Sequence, residues 1–481
     1  MADPRYEAIV GLEVHVQLRT RTKLFCGDLV EHGVPPNTHV CPVCLGLPGA
    51  LPALNERAVE LAVLAALGLG STVKERSTFD RKHYSYPDLP KGYQITQHDE
   101  PLATGGYLLL PDADGGKPGA VRIRRVHLEE DTGRSLHDRV PGATALDFNR
   151  AGAPLVEIVT EPDLRSPEGA RTFLGRLKQV LEYVGASDCR MEEAHLRVDA
   201  NVSLRSGGEG PSGVRTEIKN LNSFSGVERA LRFEIERQER VLASGGAVEP
   251  VTLLWDPVRG EARPLRAKEE SADYRYLPEP DLPTLTVSPG WLKRIRNSLP
   301  ELPDARAARF VRDYSLDPGH AGVLTATREL ADYYEQVARR TDPREAATWA
   351  MGDVLAAAGA QGSSLDRFRV RPADLAELIE LRAAGIVSRP VARQVFARMV
   401  ETGKPAAQIV GEEGLQRVDE TGAVESWVDE AVREHPGEAA RYRAGETRLL
   451  EFFVGEVMRR SGGRVDPQRA RDLLTEKLEE G

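Results

Sequence analysis

Four cysteines in 481 residues are too few for a disulfide framework. Three of them, Cys26, Cys41 and Cys44, lie close together, a grouping that suits a metal better than disulfides. No run of about 18 apolar residues occurs, so no membrane span is expected. The most apolar stretch, 58–69, is short and is interrupted by Glu60. The N-terminus lacks a basic region followed by an apolar stretch, so no signal peptide is expected and the reading is cytoplasmic. No Gly-x-x-x-x-Gly-Lys-Ser/Thr motif is present, which leaves any nucleotide to another scaffold. Positive charge is not in excess: Lys+Arg 64 against Asp+Glu 74 gives a net −10. That excludes bulk attraction for nucleic acid and demands local patches or a partner protein instead. Glycine and proline show no fixed period, which excludes collagen-like and low-complexity chains.

What is present is ordinary globular material, with 41% hydrophobic and 29% charged residues, enough for a core. At about 100–200 residues per domain, the length allows roughly two to four domains. Residues 8–18 alternate, with Ile9, Val10, Leu12, Val14, Val16 and Leu18 set against Glu13, His15 and Gln17. The pattern predicts a strand with one polar face carrying 13, 15 and 17. Asn55 caps a predicted helix ending at Gly68. Strands are predicted over 121–128 and 154–159, and Ser166-Pro167-Glu168 opens a helix that runs to about Gly185. A strand over 195–204 is expected to pair with 214–219 across the glycine-rich turn 206–213, followed by an amphipathic helix over 225–242. The proline-rich stretch 277–303 reads as a linker or domain edge. Helices are then predicted over 328–340, 344–358, 373–384 and 388–401, with a break at Gly403-Lys404-Pro405. The expected fold class is α+β: a mixed-sheet domain over 1–293 carrying the catalytic candidates, a helical domain over 294–404 and a small helical tail over 405–481.

Several polar groupings carry chemistry. Glu13 and His15 share a strand face, and Glu129-Glu130-Asp131 follows His127 at the end of another strand. Carboxylates with one histidine suit a hard cation such as Mg²⁺; the alternative is a solvated polar face and a charged turn. The loop from Phe79-Asp80-Arg81-Lys82 through His83-Tyr84-Ser85-Tyr86 interleaves basic, aromatic and acidic groups with no period. A lysine or arginine there can neutralise phosphate or carboxylate oxygens, or the segment is a surface loop with stacked tyrosines. Arg197, Asp199, Asn201 and Ser203 share a strand face that Glu217 and Lys219 can meet, a polar platform or a plain solvent face. Cys41-Pro42-Val43-Cys44 is a knuckle to which Cys26 adds a third sulfur and Asp28 an oxygen, with His32 or His39 competing for that place. Cys189 stands apart and reads as a small buried hydrophobe.

In order along nearly the whole chain, a further set of motifs resembles one family. They are Gly11-Leu12-Glu13-Val14-His15-Val16-Gln17-Leu18, Phe79-Asp80-Arg81-Lys82, Gln94-Ile95-Thr96-Gln97, His127-Leu128-Glu129-Glu130-Asp131, Asp147-Phe148-Asn149-Arg150 and Pro154-Leu155-Val156-Glu157. Arg197-Val198-Asp199-Ala200-Asn201, Glu217-Ile218-Lys219-Asn220, Asp273-Tyr274-Arg275-Tyr276 and Phe453-Val454-Gly455-Glu456 complete the series. The family is that of the B subunits (GatB) of the aspartyl/glutamyl-tRNA amidotransferases. The resemblance implies a ligase of protein biosynthesis. In it ATP phosphorylates the side-chain carboxylate of Glu-tRNA(Gln) or Asp-tRNA(Asn), and ammonia from a glutaminase partner displaces the phosphate. It implies a heterotrimer in which an amidase is the A subunit and a small protein the C subunit. Glu13, His15 and Glu130, with Glu129 beside them, are then expected at a Mg²⁺-centred site, with Lys82 on phosphate. Tyr84 and Lys91 fall where an ammonia channel could open, and Glu157, Asp199 and Lys219 are further substrate-site candidates. Zinc-carrying relatives have Cys-x-Cys before the knuckle, whereas this chain has Cys26-Gly27-Asp28, so any zinc is structural and rests on Asp28. Arg459, Arg460 and Arg464 in the tail are the expected tRNA patch. Two alternatives are an archaeal-type Gln-specific relative, disfavoured by the absence of a large insertion, and a non-enzymatic tRNA-binding or assembly protein on the same fold.

Overall fold

A computed structural model describes residues 6–111, 119–207, 213–265, 274–417 and 421–480. They form two units, 1–302 and 303–481. The first is built on β1 (Tyr6–Gln17), whose alternation holds: Leu12, Val14 and Val16 are buried, while Glu13, His15 and Gln17 take the other face. Around it lies a ten-stranded sheet. Its other strands are β2 (Thr72–Val73), β3 (Ala103–Thr104), β4 (Tyr107–Leu110), β5 (Gly119–Glu130), β6 (Pro154–Thr160), β7 (Leu196–Ser206), β8 (Thr216–Leu221), β9 (Thr252–Asp256) and β10 (Glu261–Pro264). The spatial order is β10-β9-β8-β7-β1-β6-β5-β3-β2, with β4 also on β5. All pairs are antiparallel except β8 with β9. Helices α1 (Glu56–Gly68), α2 (Pro167–Tyr183) and α3 (Phe224–Ala243) contribute to the apolar core beneath this sheet, capped by Asn55, Ser166 and Ser223.

The expected β7–β8 pairing forms, but its turn at 208–212 lies outside the described residues, as does Asp273. The stretch 277–303 is no bare linker. Leu277–Pro278 pairs with Asp80–His83, Leu285–Thr286 pairs with Arg76–Ser77, and Pro289–Ser298 forms α4, capped by Ser288. Residue 293 lies within this helix, and the compact first unit runs to Leu302. The stretch ends at the boundary between the two units, as a domain edge, and its prolines are accommodated because strands of two residues at an edge tolerate them and the first helical turn favours them.

The second unit is helical from Pro303–Tyr314 onward, and its prolines mostly open helices, as in Pro343–Trp349 and Pro372–Ala383. One core gathers residues from Phe310 to Val410 and a second gathers Val424 to Leu478. Ala406, Ile409 and Val410 pack in the first core, so the Gly403 break does not end it. Glu335 sits among guanidinium groups of Arg306 (2.8 Å), Arg309 (2.9 and 3.1 Å) and Arg339 (3.1 Å). Burial opposes its ionisation, but Arg309 and Arg306 hold its pKa down at about 2. A depressed carboxylate stabilises the fold above its unfolded pKa and loses that contribution as pH falls through the folded value. Glu335→Gln is expected to destabilise the second unit by roughly 3 kcal/mol at neutral pH. In denaturant melts its deficit should shrink from about pH 4 toward pH 2.

Candidate active site on the polar sheet face

Register decides the composition of this face. His15 on β1 lies opposite Arg197 on β7 and Glu157 on β6, and Glu157 lies opposite His127 on β5. Side chains at such cross-strand positions touch. The His15 Nε2 is 3.5 Å from Glu157 Oε2 and 3.4 Å from Glu129 Oε1, and His127 Nε2 is 3.1 Å from the same Glu157 oxygen. His15, Glu129 and Glu157 offer one ligand atom each, all within 4.8 Å of one another. Burial opposes charge on Glu157, yet His127 and His15 hold its carboxyl well below the usual range. Burial also disfavours the His15 imidazolium, but Glu157 and Glu129 lift its pKa to about 9. Burial, with Glu157 nearby, raises Glu129. Two buried carboxylates this close call for positive charge between them, which the His15 proton supplies here; a divalent cation would take its place by displacing that proton, leaving two oxygens and one imidazole as the donor set.

Glu130 does not join this set. Adjacent residues on a strand point to opposite faces, so Glu129 faces His15 while Glu130 turns to the other side. There Glu130 accepts from Lys91 Nζ and, at 2.9 Å, from the Ile95 N–H. Gly46 has a positive φ and lies against Lys91, whose chain a Cβ would strike on its way to Glu130. Glu130, Lys91, Cys26 and Cys44 line one cavity of about 220 Å³. Glu13 is on the His15 face but is engaged by Asn201 Nδ2 at 3.0 Å, and burial with Glu157 nearby raises its pKa. Of the expected set, only His15 lies in the grouping that the structure brings together with Glu129 and Glu157; Glu13 and Glu130 lie outside it. The sequence offered Glu157 as a substrate-site candidate through its place in the motif Pro154–Glu157; its register opposite His15 was invisible.

Lys82 stands beside this cluster on the strand Asp80–His83, its Nζ 4.6 Å from the Tyr274 ring centroid and 6.0 Å from that of Tyr84. Burial would discharge it, but Glu129 and Glu157 raise its pKa, so it stays a cation. Arg81 beside it forks onto Glu279 (2.7 and 2.9 Å), anchoring the loop. The Tyr84 hydroxyl donates to Gln94 Oε1 at 3.2 Å. Asp131, Arg150 and Arg197 form a neighbouring clamp, with Arg197 Nη2 2.9 Å from Asp131. Asp199 pairs with Lys219 at 2.9 Å, and Glu217 is 2.8 Å from the same ammonium. The platform across β7 and β8 therefore exists, one strand away from His15.

Cys26, Asp28, Cys41 and Cys44 converge within 4.8 Å. Asp28 Oδ2 is 3.4 Å from Cys44 Sγ and 3.7 Å from Cys26 Sγ. The Cys26 thiol and the Cys41 N–H donate to the Cys44 sulfur and, with Lys23 nearby, bring its pKa down to about 6. Three sulfurs and one carboxylate, one thiol already acidic, fit zinc. The fully buried Lys23 ammonium, 3.5 Å from Cys44 Sγ and donating to the His39 carbonyl at 2.7 Å, offsets part of the negative charge. His32 and His39 are not in the cluster, and Cys189 is buried apart.

In the tail, Arg459 pairs with Glu456, and Arg460 lies among Glu434, Glu430 and Glu456. Arg464 lies 5.8 Å from the Trp427 ring centroid. Among the described residues no helix is long and apolar enough to cross a membrane.

Residues 8–293 match the family model described as the GatB/GatE catalytic domain, and 332–478 match that of the GatB domain. A curated relative from Carboxydothermus hydrogenoformans is 46% identical over 98% of this chain and 99% of its own length. Relatives from Moorella thermoacetica (47%, covering 98% and 100%) and Prosthecochloris aestuarii (47%, covering 99% and 98%) are equally similar. All three are named as the B subunit of aspartyl/glutamyl-tRNA(Asn/Gln) amidotransferase.

Proposed function

Because the chain belongs to the B-subunit (GatB) family of the aspartyl/glutamyl-tRNA(Asn/Gln) amidotransferases, we propose that its polar sheet face activates the side-chain carboxylate of a misacylated tRNA for amidation. It is the B subunit of a tRNA-dependent, glutamine-hydrolysing amidotransferase, a ligase. The observation that carries the finer reading is the buried His15–Glu129–Glu157 cluster with the Lys82 cation beside it. A carboxylate is a poor electrophile, and transfer of the ATP γ-phosphoryl group to it creates a leaving group. His15, Glu129 and Glu157 would hold Mg²⁺, which when bound neutralises charge on the transferring phosphoryl oxygens. Lys82, on the separate strand Asp80–His83 with the Tyr274 and Tyr84 rings beside it, would support the same oxygens. His127 keeps Glu157 ionised and oriented. The clamped Arg197 borders the site and can receive the aminoacyl end of the tRNA.

Ammonia has to arrive unprotonated and sheltered, from the amidase of the complex, with a small third protein completing a heterotrimer. Tyr84 and Lys91 remain the candidate lining of its route. Asp199 and Lys219 are candidate contacts for the substrate beyond. Zinc at Cys26, Asp28, Cys41 and Cys44 would be structural. The cytoplasm is the proposed compartment, and Glu-tRNA(Gln), Asp-tRNA(Asn) or both are the substrates. The alternative of a Gln-specific relative with an inserted domain is disfavoured by matches covering 98–100% of both chains in the first two relatives. The test is reconstitution with the amidase and the small third protein, ATP, Mg²⁺, glutamine and misacylated tRNA. Amidated tRNA and released phosphate should form in proportion to this chain. Amidation that proceeds equally in its absence, or without ATP, would overturn the reading.

A further inference from the structure

Away from the catalytic face, on the chain leading into β7, a compact polar network has no part in the chemistry above. The segment passes from Asp188 through the single helical turn Met191–Glu193 and the left-handed Ala194 to His195. Arg190 bridges it, donating to Asp188 Oδ2 at 2.9 Å and to Glu193 Oε1 at 2.6 Å. His195 Nδ1 lies 2.6 Å from Asp188 Oδ1. With Nδ1 protonated and donating to the carboxylate, Nε2 carries the lone pair, the arrangement by which a carboxylate orients a metal-binding histidine. That Nε2 is 3.5 Å from Glu193 Oε2. The Glu193 oxygen is buried and makes no hydrogen bond. A buried carboxylate oxygen left without a donor is costly unless something else neutralises it. His32 approaches from the loop after β1, its ring centroid 6.3 Å from that of His195, and ligand atoms of His32, Glu193 and His195 all fall within 4.8 Å.

From this geometry we infer that His32, Glu193 and His195 form a second divalent transition-metal site, separate from the cysteine cluster and of zinc type. Two ligands about 2.0–2.1 Å from a tetrahedral ion stand about 3.4 Å apart. The His195–Glu193 pair is already at that spacing, 3.5 Å. His32 is exposed, and its ligand atom lies within 4.8 Å of those of Glu193 and His195. Two imidazoles and one carboxylate make a donor set that zinc and cobalt accept, with the fourth position left to water. That water comes from a cavity of about 790 Å³ bordered by His32, Glu193 and His195. Bound there, the ion ties the loop that precedes the cysteine knuckle to the entry of β7. Without metal, the same groups make a plain ion-pair network through Arg190.

The experiment is a Co²⁺ titration of the full chain, purified without a histidine tag, read by visible absorption and metal content. Charge-transfer absorption from thiolate to cobalt reports the cysteine cluster, whereas a His₂Glu site adds ligand-field absorption alone. His195→Gln and, independently, His32→Gln are expected to remove about one Co²⁺ per chain and leave the thiolate band untouched. Asp188→Asn is expected to loosen that ion by about 10- to 100-fold. Circular dichroism identical to that of the parent chain confirms that each variant is folded; His32→Gln, on an exposed loop, serves if His195→Gln does not fold. Unchanged stoichiometry and affinity in the folded variants overturn the inference. So does loss of the thiolate band together with the metal, which would assign the histidines to the cysteine cluster.

Discussion

Glu157→Gln is expected to lower ATP-dependent amidation of the aminoacyl-tRNA by about 1000-fold, and His15→Ala to do the same. A factor of that size corresponds to about 4 kcal/mol of lost transition-state stabilisation, the scale of a removed metal ion or pre-aimed charge. The reason lies in the contacts. Glu157 is the carboxylate shared by His15 and His127, and it is ionised because both imidazoles border it. The amide isostere keeps the shape and removes the charge, so the proposed cation site loses one ligand, His127 loses its carboxylate partner and His15 loses one of its two. Glutamine hydrolysis measured in the same complex should be nearly unaffected. Glu130→Gln is the contrast. Its carboxylate faces Lys91 and the Ile95 N–H on the opposite side of β5, so phosphate release from ATP should survive while thermal stability drops. Phosphate release retained in Glu157→Gln at saturating Mg²⁺ would remove this cluster from the chemistry.

Truncation after Arg417 is expected to raise the KM for tRNA at least about tenfold and leave ATP-dependent chemistry on saturating tRNA largely intact. The cut belongs there and not at 405, because Ala406, Ile409 and Val410 complete the core of the preceding helices, whereas 424–478 have a core of their own. Residues 406–481 carry more carboxylates than cations, so tRNA contact depends on which arginines are left available. Arg459 is 71% exposed and Arg460 18%, the latter ringed by Glu430, Glu434 and Glu456. Arg459→Glu should therefore flatten the salt dependence of tRNA binding by up to about one unit of slope, and Arg460→Glu by less. Equal tRNA affinity with and without the tail, at several salt concentrations, would take tRNA binding out of this region.

The strand carrying Glu13 and His15 was legible from alternation alone, because a half-buried strand must repeat every two residues. The helices opening at Asn55 and Ser166 were legible from their caps, and the knuckle from its cysteines, because these signals are local. Short paired strands such as Arg76–Ser77 with Leu285–Thr286 were not, since two residues have no period and their partners are remote. The family could be read from motifs spread along the whole chain. The assignment of roles could not. Glu129 and Glu130 are identical neighbours in sequence, and periodicity says only that they face opposite ways. Which of them meets His15 depends on the register of β5 against β6 and of β6 against β1, where Glu157 lies between His127 and His15. A slip of one residue would exchange the two carboxylates, and only the packed sheet, with its apolar face buried on the helices, sets that register.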